Sequence, residues 1–418
     1  MIYTMNDEEL KKLHVINCAL EGKLTVSEAA NVLGLTARRV KQLKKEVKEH
    51  GVESIIHGNR GRKPAHSIDD KLAQRIIELK TSYKYQEANF LHFQELLEEY
   101  EGIKISYSAL YDILHQANIK SPKKHRKTKK HHRRKRKAAA GMMLQADGTP
   151  HDWFGIGKKY SLHGFIDDAT GAITGLYLCE NECLLGYLEV TRQTLKNFGI
   201  PLSLYPDKYS VFFPAAGKED HLTIEEQLRG VHKAVTQFGR IMDELGIEMF
   251  PASSPQAKGR IERLWETLQS RLVTEFRINS INTIEQANVF LPGYIKKYNK
   301  KFAIPAQDQN SAFIPLPDKF NLDTLLCVKI VRTTDNAGVF SINNCKFAVD
   351  SRKIPSKAKI TVLISKDAGI KALYKDKLYK VSDVNYLSNK IYIPNGSTLS
   401  RGIQLVIQDY FLKDAKAA

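Results

Sequence analysis

The chain has 418 residues, and its 64 Lys and Arg against 46 Asp and Glu leave a net charge of +18. At roughly 150 residues per domain, that length predicts about three domains with at least one large core. Apolar residues at 42% and charged residues at 26% are ordinary globular values, which exclude wholesale disorder and a fibrous chain. No apolar run approaches the ~18 residues of a membrane span, and the acidic start of the chain lacks the basic and apolar regions of a secretory leader, so a cytoplasmic protein with no membrane partner is expected. Five scattered cysteines without a CxxC pair suggest neither a disulfide framework nor a zinc ribbon. Cys179 and Cys183 read as small packing residues near a strand-helix junction. The charge excess is concentrated: twelve basic residues and no acid fall within residues 120–137, leaving the other 400 residues at +6. Such an excess favours a polyanionic partner.

In chain order, residues 8–49 carry helical periodicity. Ala30 is small where two helices cross closely, Gly34 permits a tight turn, and Val40 packs the second helix back on the first, which is the packing logic of a helix-turn-helix. Thr36 is a good N-cap for that second helix, whose polar side carries Arg38, Arg39, Lys41, Gln42 and Lys45, residue types that contact phosphates and base edges. Residues 1–57 are thus expected to be a DNA-binding domain. A basic Gly/Pro segment at residues 58–67, with Arg60, Arg62 and Lys63, reads either as a minor-groove element or as a plain linker. Helical segments at about 69–82, 88–100 and 106–117 predict a second helical domain over residues 68–119, of winged or helix-turn-helix type, with a purely structural bundle as the alternative. The basic linker at 120–140, including Lys129, Lys130, Arg133 and Arg134, is suited to lie along DNA, because phosphate neutralisation relieves its self-repulsion.

From Gly141 the pattern changes to short strands and then alternating helices, in the order βββαβαβα of an RNase H-like α/β domain expected over residues 141–300. Asp147 and Asp207 stand at strand ends that a mixed sheet can bring side by side. A later helix has a buried stripe of Ile261, Leu264, Trp265, Leu268 and Leu272, and Lys258, Glu262 and Glu266 are expected on its opposite face. Three converging carboxylates, Asp147, Asp207 and Glu262, repel unless divalent cations neutralise them, and a two-metal centre serves in-line phosphoryl displacement. Rivals are Asp152, Asp167, Asp168 and Glu266, for which turn-capping or surface roles are favoured. An irregular link at 301–324 leads to alternating strands that predict a small SH3-like β-barrel over 325–418.

At these residues the sequence resembles the DDE catalytic core shared by retroviral integrases and many bacterial insertion-sequence transposases. The stretches Leu144-Gln-Ala-Asp-Gly-Thr-Pro-His-Asp-Trp153, Phe165-Ile-Asp-Asp-Ala-Thr170, Leu204-Tyr-Pro-Asp-Lys208 and Ser254-Pro-Gln-Ala-Lys-Gly259 are most like the bacterial group often labelled ISNCY. The resemblance implies that Asp147, Asp207 and Glu262 are the catalytic and metal-binding triad for two Mg²⁺ ions, with Mn²⁺ as a substitute. It further implies that Ser254, Gln256, Lys258 and Arg263 contact the transposon end. A DNA transposase follows: it binds terminal inverted repeats, cuts 3′ ends and transfers strands to target double-stranded DNA, working as a homodimer or higher oligomer near the bacterial nucleoid. The alternatives are a DNA-binding regulator or domesticated transposase with an unused core, and a plain metal-dependent nuclease. Two features depart from the family pattern. Lys208-Tyr209 stands where many relatives have Asn-Gly after the second aspartate, and 55 positions separate Asp207 from Glu262, a longer interval than is common in that superfamily.

Overall fold

A computed structural model describes residues 5–56, 68–123, 134–214, 235–252, 258–317, 321–350, 353–384 and 400–412. Contacts divide the chain into two units, Met1–Ile76 and Ile77–Ala418. No helix among the described residues is long and apolar enough to cross a membrane.

The first unit is built on α1 (Asp7–Leu20), α2 (Val26–Leu33) and α3 (Ala37–His50). Each start is capped. Asn6 accepts from the Glu9 backbone N–H while Glu9 accepts from that of Asn6, and Thr25 with Glu28 makes the same reciprocal pair. Gly34 ends α2 in the left-handed region at φ 64°, and Thr36 then caps α3 through the Arg39 N–H. Val40 and Leu43 of α3 close on Ile16, Ala19, Ala29 and Ala30, a core in which Ala30 and Val40 hold the expected crossing positions. The turn chemistry sets the crossing and the small alanines let the helices meet, so a helix-turn-helix results.

In the second unit, the last turn of α4 (Asp70–Thr81) leads to α5 (Phe90–Tyr100) and α6 (Tyr107–Gln116), capped by Asn89 and Ser106. The strands β1 (Leu144–His151), β2 (Tyr160–Asp167), β3 (Ile173–Cys179), β4 (Ser203–Tyr205) and β5 (Glu248–Met249) form one sheet in the order β3-β2-β1-β4-β5. β1 to β3 are antiparallel neighbours, and β4 runs parallel to both β1 and β5. With α7 (Leu184–Asn197), α8 (Gln237–Leu245) and α9 (Gly259–Ile278), the described elements follow the expected βββαβαβα order.

The sheet is covered on both faces. Leu144 and Ala146 pack with α7 and α8, whereas Leu162, Leu176 and Leu178 pack with α9 and α10 (Ile284–Phe302). The strands β6 (Val328–Thr333), β7 (Val339–Ile342), β8 (Cys345–Val349), β9 (Lys359–Ser365), β10 (Gly369–Tyr374) and β11 (Lys377–Asp383) form a six-stranded sheet in the order β6-β9-β10-β11-β8-β7. Its pairings are all antiparallel, and its two outer strands approach each other, so it curls into a near-barrel. Gln237 of α8 clamps β6, donating to the Lys329 carbonyl and accepting from its N–H at 3.0 Å each. The near-barrel therefore shares a core with one face of the first sheet.

Candidate functional site

Alternate residues of β1 meet every fourth residue of α9. Gln145 accepts from the Ile261 N–H at 3.1 Å, Asp147 accepts from Trp265 Nε1 at 2.8 Å, and Thr149 Oγ1 accepts from Gln269 Nε2 at 3.2 Å. Two strand residues advance about 6.8 Å and four helical residues about 6 Å, so the two periodicities stay in step along the contact. Gln145 also donates to Asp168 at 2.9 Å and is fully buried. It satisfies an N–H in the first turn of α9 and fixes where that helix begins.

Register brings the two aspartates together. Leu144 and Gln145 of β1 lie opposite Leu204 and Tyr205 of β4 in the parallel ladder, so two residues further on Asp147 stands abreast of Asp207. Burial first, then the neighbouring Asp147 charge, pushes the Asp207 carboxyl above its ordinary range, with Lys258 acting in the opposite direction. Asp207 Oδ1 is buried with no hydrogen-bond partner among the described residues. An orphaned carboxylate oxygen beside a second carboxylate is a donor set that suits a hard divalent cation.

Lys258 departs from the expected surface position. It precedes α9, is 7% exposed, and donates from Nζ to Asp147 Oδ1 at 2.6 Å. The reason is helical phase. Lys258, Glu262, Trp265 and Gln269 lie within about 60° of one another at 100° per residue, on the edge turned to β1 rather than opposite the apolar stripe. Glu262 shares this edge, between two residues that hold Asp147; it is exposed and has no hydrogen bond or ion pair with a described residue. Its neighbours Arg263 and Glu266 are exposed as well. Ser254 and Gln256 lie outside the described residues.

The rival acids have visible structural work. Asp152 accepts from the N–H groups of Ile156 and Gly157, and Asp167 caps its turn through Gly141 and Thr170. Asp168, fully buried, pairs with Arg260 at 2.6 Å and with Arg134. Arg134, expected on DNA, is thus engaged by the second unit's own carboxylate. Lys129, Lys130, Arg133, Arg60, Arg62 and Lys63 lie outside the described residues. On α3, Arg38, Arg39, Lys41, Gln42 and Lys45 are all exposed, with Arg39 and Gln42 both donating to Glu46.

One acid near the pair escaped the sequence reading. Glu182 precedes α7 and accepts from the Tyr187 hydroxyl at 2.5 Å. Burial raises its carboxyl above the ordinary range, and the charges of Asp207 and Asp147 add to the effect. It reaches this position because residue 148 is glycine: a Cβ there would lie 2.9 Å from the Glu182 carboxyl carbon. The usable signal was the glycine directly after Asp147.

A profile described as "Helix-turn-helix domain" matches residues 11–64. The transposase for insertion sequence IS1202 of Streptococcus pneumoniae is 36% identical over 93% of this chain and 88% of its own length. A Sinorhizobium fredii chain named "Putative transposase y4bF" is 32% identical over 84% of this chain and 75% of its own. Among solved structures, the HTLV-2 integrase catalytic core domain in complex with magnesium is 16% identical, covering 41% of this chain and 94% of its own, with a TM-score of 0.28.

Proposed function

Since the chain belongs to the family of insertion-sequence transposases, we propose that it is a DDE polynucleotidyl transferase that cuts the 3′ ends of its element and joins them to target DNA. The observation that carries the reading is the parallel register of β1 and β4, which sets Asp147 beside Asp207 while α9 turns Glu262 toward the same edge. Asp147, Asp207 and Glu262 would hold the divalent cations, two Mg²⁺ with Mn²⁺ as a substitute. Cations so held supply activation of the attacking oxygen and stabilisation of the leaving oxygen.

The chain's own residues do the rest. Trp265 and Lys258 orient Asp147 from two sides. Gln145 pins the helix that carries Glu262. The exposed polar face of α3 supports reading of the terminal repeats, with Arg38, Arg39, Lys41, Gln42 and Lys45 as contacts. Ser254, Gln256 and Arg263 belong to the same proposal as contacts to the transposon end, as do the basic residues of 58–67 and those of 120–137 other than Arg134 and Arg136, which are held at Asp168. Lys258, held on Asp147, serves the acidic pair instead. In this reading the domains are 1–57, 68–119, 141–300 and 325–418, joined by linkers at 58–67, 120–140 and 301–324. Two ends must be held at once, so the working form is a homodimer or larger.

Labelled element ends, Mg²⁺ and a plasmid target test the proposal in one reaction. Strand-transfer products are expected, and Asp147→Asn should abolish them while leaving end binding intact. Cutting without joining would indicate a nuclease. End binding with neither cutting nor joining would indicate a regulator with an unused core.

A further inference from the structure

Beginning at the residue next to Glu182 lies a second cluster of a different chemical kind. His163 of β2, Cys179 at the end of β3 and Cys183 at the N-cap of α7 are all buried, and one donor atom from each lies within 4.8 Å of the others. We infer that these three side chains form a binding site for a single thiophilic divalent cation of the zinc class.

The imidazole is set for this role. Its Nδ1 lies 3.2 Å from the Tyr177 carbonyl, and its Nε2 accepts from the Cys183 N–H at 3.1 Å, which selects the tautomer protonated on Nδ1. A ring held by a carbonyl at Nδ1 presents the Nε2 lone pair, the usual arrangement of a metal-binding histidine. The ring cannot swing away. Tyr187 packs edge-on at 4.8 Å, and a Cβ on residue 186, a glycine, would sit 2.3 Å from Nδ1. Uptake requires Nε2 to exchange the Cys183 N–H for the ion.

Distance and charge both fit. Tetrahedral ligands at about 2.0 to 2.3 Å from zinc stand about 3.5 to 3.8 Å apart, so donor atoms within 4.8 Å of one another need approach by about 1.3 Å at most. The hydrogen bond between the two thiols draws Cys183 below the ordinary thiol range and, with burial, holds Cys179 well above it, so the Cys179 proton leaves only when the ion displaces it. Binding is a proton exchange: two protonated thiols and a neutral imidazole take up M²⁺ and release two H⁺ to solvent, or one H⁺ where Cys183 is already a thiolate. The product carries no net charge, the condition under which an ion can be buried. A cavity of about 620 Å³ lined by Cys179, Cys183, Glu180, Glu285 and Lys366 gives a path to the sulfurs and room for a fourth ligand.

The test uses the full chain, reduced, with Co²⁺ as the optical probe. One equivalent is expected to give intense thiolate-to-cobalt bands and tetrahedral visible absorption, release one proton where Cys183 is already ionised and two in more acidic buffer, and be displaced by Zn²⁺ but not by excess Mg²⁺. Cys183→Ser and Cys179→Ser should each remove the thiolate bands, and Cys18→Ser should keep them. X-ray absorption on the wild-type cobalt complex reads the ligand set without any variant, so a folding failure in either serine variant leaves the test intact. Weak oxygen-type absorption that Mg²⁺ competes away would assign the ion to the acidic pair and overturn the inference. Failure to bind, or isolation of Cys179 and Cys183 bonded to one another, would overturn it too. None of these outcomes depends on strand transfer.

Discussion

Gly148 is where packing and chemistry meet most directly, because the missing side chain is the space that Glu182 occupies beside Asp147. Gly148→Ala forces that carboxylate aside. The expected cost is about 1 to 3 kcal/mol of stability, typical of overpacking, together with a loss of strand transfer larger than any loss of end binding. Asp207 and Glu182 have their carboxyls raised, chiefly by burial and then by neighbouring charge. A raised folded value means that the stability they lend is fully present below the unfolded carboxylate range and is lost as pH rises through the folded values. A cation at the pair offsets this loss. Mg²⁺ should therefore raise the melting temperature more at pH 8 than at pH 5, and Asp147→Asn should abolish the difference in a thermal-shift titration.

Between elements, α5 docks on α9 and α10 through a polar seam rather than an apolar one. Arg271 makes a bidentate pair with Glu95 at 2.7 and 3.0 Å and lies over the Phe302 ring. Glu275, 2% exposed, accepts from Lys297 at 2.9 Å and from Tyr100 at 3.3 Å, with His92 on its other side. Glu95 keeps Lys301 when Arg271 is removed, so Arg271→Met should cost about 2 kcal/mol, and a paired Glu95→Met should recover only part of it. Denaturant melts of the two variants check both parts. Burial works against ionised Glu275 and Glu95, but their basic partners prevail and hold both carboxyls low. Burial lowers His92. Groups with depressed folded values lend stability above the unfolded value and lose it as pH falls through the folded one. His92 therefore erodes stability below about pH 6.5 and the two glutamates do so below about pH 4. Acid should destabilise the chain in two steps, and His92→Gln should flatten the first.

For the molecule as a whole, the proposed function makes DNA affinity follow the sign and place of the charge. Arg134 and Arg136 contact Asp168 and the carbonyls of Asp168 and Ala169, so the end of the basic run is tied to the second unit. The rest of the run is left as the better candidate for phosphates. Deleting residues 124–133 removes six basic residues, which should reduce the slope of log affinity against log salt by up to about 5, since each neutralised phosphate contributes roughly 0.9. Mg²⁺-dependent cleavage at saturating DNA should change far less. A deletion that left the salt slope unchanged would remove the run from the binding account.

Local rules made much of the chain legible from sequence. Caps, a left-handed glycine and small crossing residues act within a few positions, so the helix-turn-helix over α1 to α3 and the βββαβαβα order could be read directly. Asp147 and Asp207 stood out in sequence as acids next to apolar strand patterns, but the expected strand-end position fails for Asp147, which sits in mid-strand in β1, while Asp207 lies two residues past β4. The tertiary structure decided what depends on register and phase between distant segments. It turned Lys258 inward onto Asp147, engaged Arg134 with Asp168, brought Glu182 beside the aspartates through the gap at Gly148, and gathered His163, Cys179 and Cys183 from two strands and a helix start. Sequence periodicity says which face a residue takes on its own element. Only packing fixes what stands opposite that face, because the partner is chosen by contacts between segments far apart along the chain.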